Sequence, residues 1–191
     1  ALLIRLSLPA GCVYGSTTDW LSQHTALAET IRTAMLEQKT LLPTYLSLGG
    51  GSNGFQFSYY GYLRPDILLG CLLPAVSMYK IVIAYALGGY LLSVLLFYLL
   101  LRRHNLSGFD SFMGSVLFLT ASCFFHTHRQ LMFVNYMPFL LLALLAVKKS
   151  PRRMPALLPL WMLLICLHSF YYAPACFVVI GWYWAWLSGK Y

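Results

Sequence analysis

Charge is what this sequence has least of. Only 9% of its 191 residues are charged, and only five are acidic. Soluble domains carry about 25% charged residues to solvate their surface, so a chain with this composition is not read as a soluble globular domain. Cysteine is sparse and unpatterned: Cys12, Cys71, Cys123, Cys166 and Cys176 form no CxxC and no metal-ligand spacing. That excludes a disulfide framework or zinc finger and leaves them as small apolar residues. The glycine-rich stretch lacks the GKS/T of a phosphate-binding loop, and no Ser-His-Asp, kinase or dinucleotide motif stands in its required context. An initiating Met is missing too. The chain opens inside an apolar run, Ala1-Leu2-Leu3-Ile4, and reads as a fragment with a truncated first span.

What is present is apolar length. Hydrophobic residues make up 60% of the chain, and the run from Tyr79 to Leu101 has one charge, Lys80, at its edge. About 18 apolar residues suffice to suggest a membrane span. The expected fold class is therefore an all-α integral membrane protein with several spans. Residues 1–14 read as a partial first span, 15–76 as a long outer loop and 77–101 as the second span. Residues 112–147 and 154–188 read as two hairpins whose arms, about 11–14 strongly apolar residues each, fall short of the ~20 needed to cross. Their polar tips must then stand in protein or in a water-filled cavity.

The net charge of +8 reflects topology rather than affinity for nucleic acid. Arg102, Arg103, Lys148, Lys149, Arg152 and Arg153 each sit beside an apolar run, as cytoplasmic loops do. Placing them inside, with Arg5, Lys190 and Asp110, gives that side a net +7. The other side holds Arg32, Lys39, Arg64, Lys80 and Arg129 against Asp19, Glu29, Glu37 and Asp66, a net +1.

The outer loop carries most of the chemistry. Residues 18–38 place Trp20, His24, Leu27, Ile31 and Met35 at three- and four-residue spacing, which predicts an amphipathic helix lying along the membrane face with its apolar side down. Thr17 or Thr18 can cap it. Asp19 falls in its first turn, where the macrodipole favours a carboxylate, and Gln23 shares its face. By residue type alone Asp19 is as well explained as a helix cap. Gly49, Gly50, Gly51 and Gly54 permit positive φ and close approach. Tyr59, Tyr60 and Tyr62 suit a membrane interface or a sugar-stacking surface.

Three segments, Asp19-Trp-Leu-Ser-Gln23, Leu48-Gly-Gly-Gly-Ser-Asn53 and Ser58-Tyr-Tyr-Gly-Tyr-Leu-Arg-Pro65, resemble the bacterial YfhO family. A weaker match lies in His128-Arg-Gln-Leu-Met-Phe-Val-Asn-Tyr-Met-Pro138. The resemblance covers about residues 8–187. It implies a GT-C-like helical bundle and a glycosyltransferase of the bacterial cytoplasmic membrane. Such an enzyme would use a polyprenyl-phosphate-linked sugar on the extracytoplasmic side and glycosylate a cell-envelope polymer such as lipoteichoic acid. Family members are longer, so this chain would be the amino-terminal catalytic portion. The tip His126-Thr-His-Arg-Gln130 departs from many GT-C enzymes in having no carboxylate, so no cofactor is expected and a divalent metal is not supported.

On this reading Asp19 is the catalytic base, and inversion follows from its standing as the single well-placed carboxylate. Gln23, Asn53, Tyr60, Arg64, His126, His128 and Arg129 would bind substrate, with Arg129 and the two histidines meeting the departing phosphate and Arg64 and Lys80 behind them. His168 and Tyr172 could line the same cavity. Two other classes compete: a transporter or flippase of lipid-linked sugars or polymers, and a non-catalytic scaffold docked through the helix at 18–38.

Overall fold

The computed structural model describes residues 19–60, 62–121 and 134–189. Within them a π-helical turn, Trp20–Thr25, leads into α1 (Ala26–Gln38). A short antiparallel hairpin follows, β1 (Tyr45–Leu46) with β2 (Ser52–Asn53), then a 3-10 helix, Gly54–Tyr60. Next come α2 (Pro65–Leu72), α3 (Met78–Arg103), α4 (Gly108–Leu119), α5 (Met137–Lys149), α6 (Leu158–His168) and α7 (Ala173–Ser188).

Local sequence explains most of the helix starts. Prolines in the first turns of α2, α5, α6 and α7 supply a helical φ where no N–H is needed. At α4, Ser107 Oγ accepts from the Asp110 N–H and donates to its carboxylate, a reciprocal cap. The start of α3 is capped from elsewhere in the chain, because Glu29 of α1 accepts the Met78 N–H at 3.2 Å. Glu29 is itself held by Arg32, whose Nη1 donates to Val76 O at 2.6 Å.

The helices pack around two apolar cores. One joins the π-turn, α1, α2 and the start of α3 through Trp20, Ile31, Met35, Ile67, Met78 and Val82. The other joins the far half of α3 to α5, α6 and α7 through Leu96, Leu144, Val147, Ile165 and Ile180. The first core changes the reading of residues 18–38. A helix forms there, and Trp20, His24, Ile31 and Met35 are buried in the first core, against α2 and α3. Three- and four-residue spacing marks an apolar stripe and is silent on whether protein or lipid covers it.

One described helix, α3, is long and apolar enough to cross a membrane. Only 28% of its most apolar stretch is buried, so most of its side chains are at least partly exposed. Helices α4, α6 and α7 are apolar but shorter, at 12, 11 and 16 residues. They too present large apolar groups outward, among them Leu117, Leu163, Val178 and Trp182.

Side-chain contacts fix the directions of the helices. Tyr90 of α3 donates to Leu119 O at the end of α4, so these two run antiparallel. Gly89 of α3 faces Pro138 at the start of α5, and Tyr85 meets His168 at the end of α6. At the opposite end His104 bonds Tyr183 of α7 at 2.7 Å, and Trp184 donates to Pro151 O. The bundle therefore has a basic end, with Arg102, Arg103, Lys148, Lys149, Arg152 and Arg153, and a polar end containing the first core.

Candidate functional site at the polar end of the bundle

Asp19 opens the π-turn, half-buried and in helical conformation (φ −96°, ψ −26°). Its carboxylate makes no capping bond; it accepts from Gln23 Nε2 at 3.2 Å. The i,i+4 pair expected from the sequence is therefore formed, and the side chain is turned away from the helix's own N–H groups. The π-turn drives Trp20 and His24 inward together, and Thr25 Oγ1 donates back to Trp20 O.

His24 is 2% exposed and packs edge-on against the Trp20 ring. Burial, reinforced by the positive charge of Arg64, pushes its pKa down to about 4, against smaller opposing effects of Asp19 and Asp66. At neutral pH it is an uncharged imidazole set between charged groups.

Those groups are Arg64 and Asp66. Arg64 precedes Pro65 and is extended (φ −60°, ψ 132°), as a residue before proline prefers to be. That conformation folds its guanidinium over the first turn of α2. There Nε donates to Asp66 Oδ1 at 2.8 Å and Nη2 donates to Oδ2 at 2.6 Å, a two-point pair. Asp66 is fully sealed from solvent. Burial works against both charges, but each partner more than offsets it: Asp66 stays below the usual carboxylate range and Arg64 is held even more firmly protonated. Arg64 is thus engaged in an internal ion pair and is 4% exposed.

Next to this pair stands a second polar couple. His168 Nδ1 faces Leu164 O at 2.6 Å, so it carries the proton, and Nε2 accepts from the Tyr85 hydroxyl at 2.7 Å. The Tyr85 and His168 rings stack nearly parallel. Both residues are within electrostatic reach of Asp66. Asp66 and Tyr85 entered the sequence reading only as a loop charge and a span residue. The Arg-Pro-Asp order was the available signal, since it sets a cation and a carboxylate across a helix start.

The remaining expected residues divide. Asn53 lies in β2, exposed, its Oδ1 accepting the Phe55 N–H at 3.0 Å. The hairpin is fastened to the far end of α1 by Gln38, which bonds both Tyr45 O and Thr44 N. Asn53 thus belongs to the hairpin held at the C-terminal end of α1. The glycines serve that turn: Gly49 and Gly51 adopt φ of 60° and 100°. Tyr60 ends the 3-10 helix, and its side chain is outside the described residues, as are His126, His128 and Arg129. Tyr172 stacks on Tyr136 at 5.2 Å, beside the Tyr85–His168 couple. Among the described residues no three His, Cys, Asp or Glu side chains gather as a metal site.

A groove of about 630 Å³ runs down from this end between α2, α3 and the start of α5, with Lys80 at one end and Leu92 at the other. Its wall is almost wholly apolar. No family model, curated protein or solved structure matches this chain.

Proposed function

We propose that the chain is the catalytic portion of a multi-span membrane glycosyltransferase of the GT-C type, as its resemblance to the YfhO family implies. It would take a sugar from a polyprenyl phosphate and pass it to a hydroxyl of a cell-envelope polymer on the extracytoplasmic side. The observation that carries this reading is Asp19. It is half-buried, makes no capping bond, accepts from Gln23, and stands at the end of the bundle away from the six clustered cations.

Two of the other carboxylates of this end suit the task less well. Asp66 is locked by Arg64, and Glu29 is shared between Arg32 and the start of α3. Asp19 would remove the acceptor proton as the new anomeric C–O bond forms and the bond to the lipid phosphate breaks. The phosphate leaves with the electron pair, and the anomeric carbon inverts. Gln23 holds the carboxylate, while neutral His24 and the closed Arg64–Asp66 pair keep fixed dipoles and no net charge beneath it. Among the remaining candidates, His126, His128 and Arg129 are the groups proposed to meet the leaving phosphate.

A positioned base contributes about 10²–10⁴-fold. Membranes carrying the protein are incubated with a labelled polyprenyl-phosphate sugar, and label is sought in polymer. Incorporation supports transfer. The apolar groove also suits a flippase, and label that crosses the bilayer without entering polymer supports that reading instead.

A further inference from the structure

We infer that the groove between α2, α3 and α5 is a binding site for one acyl chain of an anionic phosphoglyceride, with the lipid phosphate on Lys80. The inference rests on the membrane placement proposed above and not on glycosyl transfer.

The groove's length argues for the occupant. From Lys80 to Leu92 is twelve residues of α3, or about 18 Å. That is close to half of a ~30 Å hydrocarbon core, the depth of a single leaflet. A long polyprenyl chain would overrun it; one acyl chain fills it. Leu69, Leu73, Val76 and Leu92 on its rim are exposed, so a chain enters sideways from the bilayer. Gly88 leaves the wall open: a Cβ there would meet nothing within 4 Å.

Two polar groups sit at the heights a phosphoglyceride needs. Lys80, in the first turn of α3, is exposed at the mouth and makes no ion pair with a described carboxylate. Below it, Asn135 lines the groove at 4% exposure with its Oδ1 lacking any hydrogen-bond partner. Because Asn135 precedes Pro138, which packs beside Gly89, its amide lies between the levels of Lys80 and Gly89. That is beneath a phosphate held by Lys80, where a phosphoglyceride carries its ester carbonyls. Asn135 places a polar side chain in the lining at that level.

The test is native mass spectrometry of the purified protein released from nanodiscs. The nanodiscs contain an anionic diacyl phosphoglyceride, a zwitterionic one with the same chains, and a polyprenyl phosphate. The wild type is expected to retain one anionic diacyl lipid, with about fivefold preference over the zwitterionic one, the worth of a single lysine near a membrane surface. Lys80→Gln should erase that preference, and Gly88→Phe, which plugs open space, should abolish retention. Unchanged retention in Gly88→Phe, no lipid on the wild type, or one-for-one displacement by polyprenyl phosphate would each overturn the inference. Sugar transfer measured on the same preparations separates the two proposals: transfer that persists while lipid retention fails sinks only this one.

Discussion

Asp66 is a carboxylate sealed from solvent, and its charge is held chiefly by Arg64. Removing one partner of a buried pair leaves an uncompensated charge and typically costs 3–5 kcal/mol, whereas replacing both with apolar groups of similar size costs far less. Asp66→Asn is therefore expected to destabilise the protein by about 3–5 kcal/mol in detergent unfolding experiments, and Arg64→Met with Asp66→Leu by clearly less. His24 gives a second residue-scale prediction. Its folded pKa lies at about 4, below the ordinary 6.5, so the folded state binds fewer protons than the unfolded chain between those values. Stability should fall as pH drops from about 6.5 to about 4, by up to ~3 kcal/mol from this group. His24→Phe should flatten the slope in melts taken across that range; an unchanged slope would reassign the effect to other groups.

At the scale of elements, the helix starts were legible because proline and serine act locally, and α3 was legible because 23 consecutive residues from Tyr79 to Leu101 include only one charge. The site was legible in part. Asp19 with Gln23 follows from helix periodicity alone, and it formed. Arg64 with Asp66 depends on how deeply α2 is buried, which no local pattern reports. The apolar stripe of α1 was visible as a stripe, but its covering by α2 and α3 is a tertiary fact. The glycine-rich segment was read as a loop that needs close approach, and the tightest instance is Gly54. A Cβ there would stand 2.2 Å from Pro43 O, a backbone atom that cannot swing aside. Gly54→Ala should cost about 1–3 kcal/mol by overpacking, read as a lowered melting temperature, while Gly50→Ala, with nothing within 4 Å, should cost far less.

For the whole molecule, the separation of its two ends is the governing feature. Eighteen residues of α3 lie between Tyr85 at the polar end and His104 at the basic end, a rise of about 28 Å. The proposed topology would place the end with the concentrated positive residues in the cytoplasm. With native cysteines replaced, Ser150→Cys should react with a membrane-impermeant thiol reagent only after permeabilisation, and Gly49→Cys should react in intact cells; the reverse pattern would invert the topology. The central claim is that the half-buried carboxylate at the polar end removes a proton during glycosyl transfer. Its most direct test is transfer of labelled sugar from polyprenyl phosphate to polymer by membranes bearing wild type or Asp19→Asn, matched for inserted protein. A loss of about 10²–10⁴-fold is expected, with Asp19→Glu retaining part of the rate. Wild-type transfer by Asp19→Asn would contradict the account.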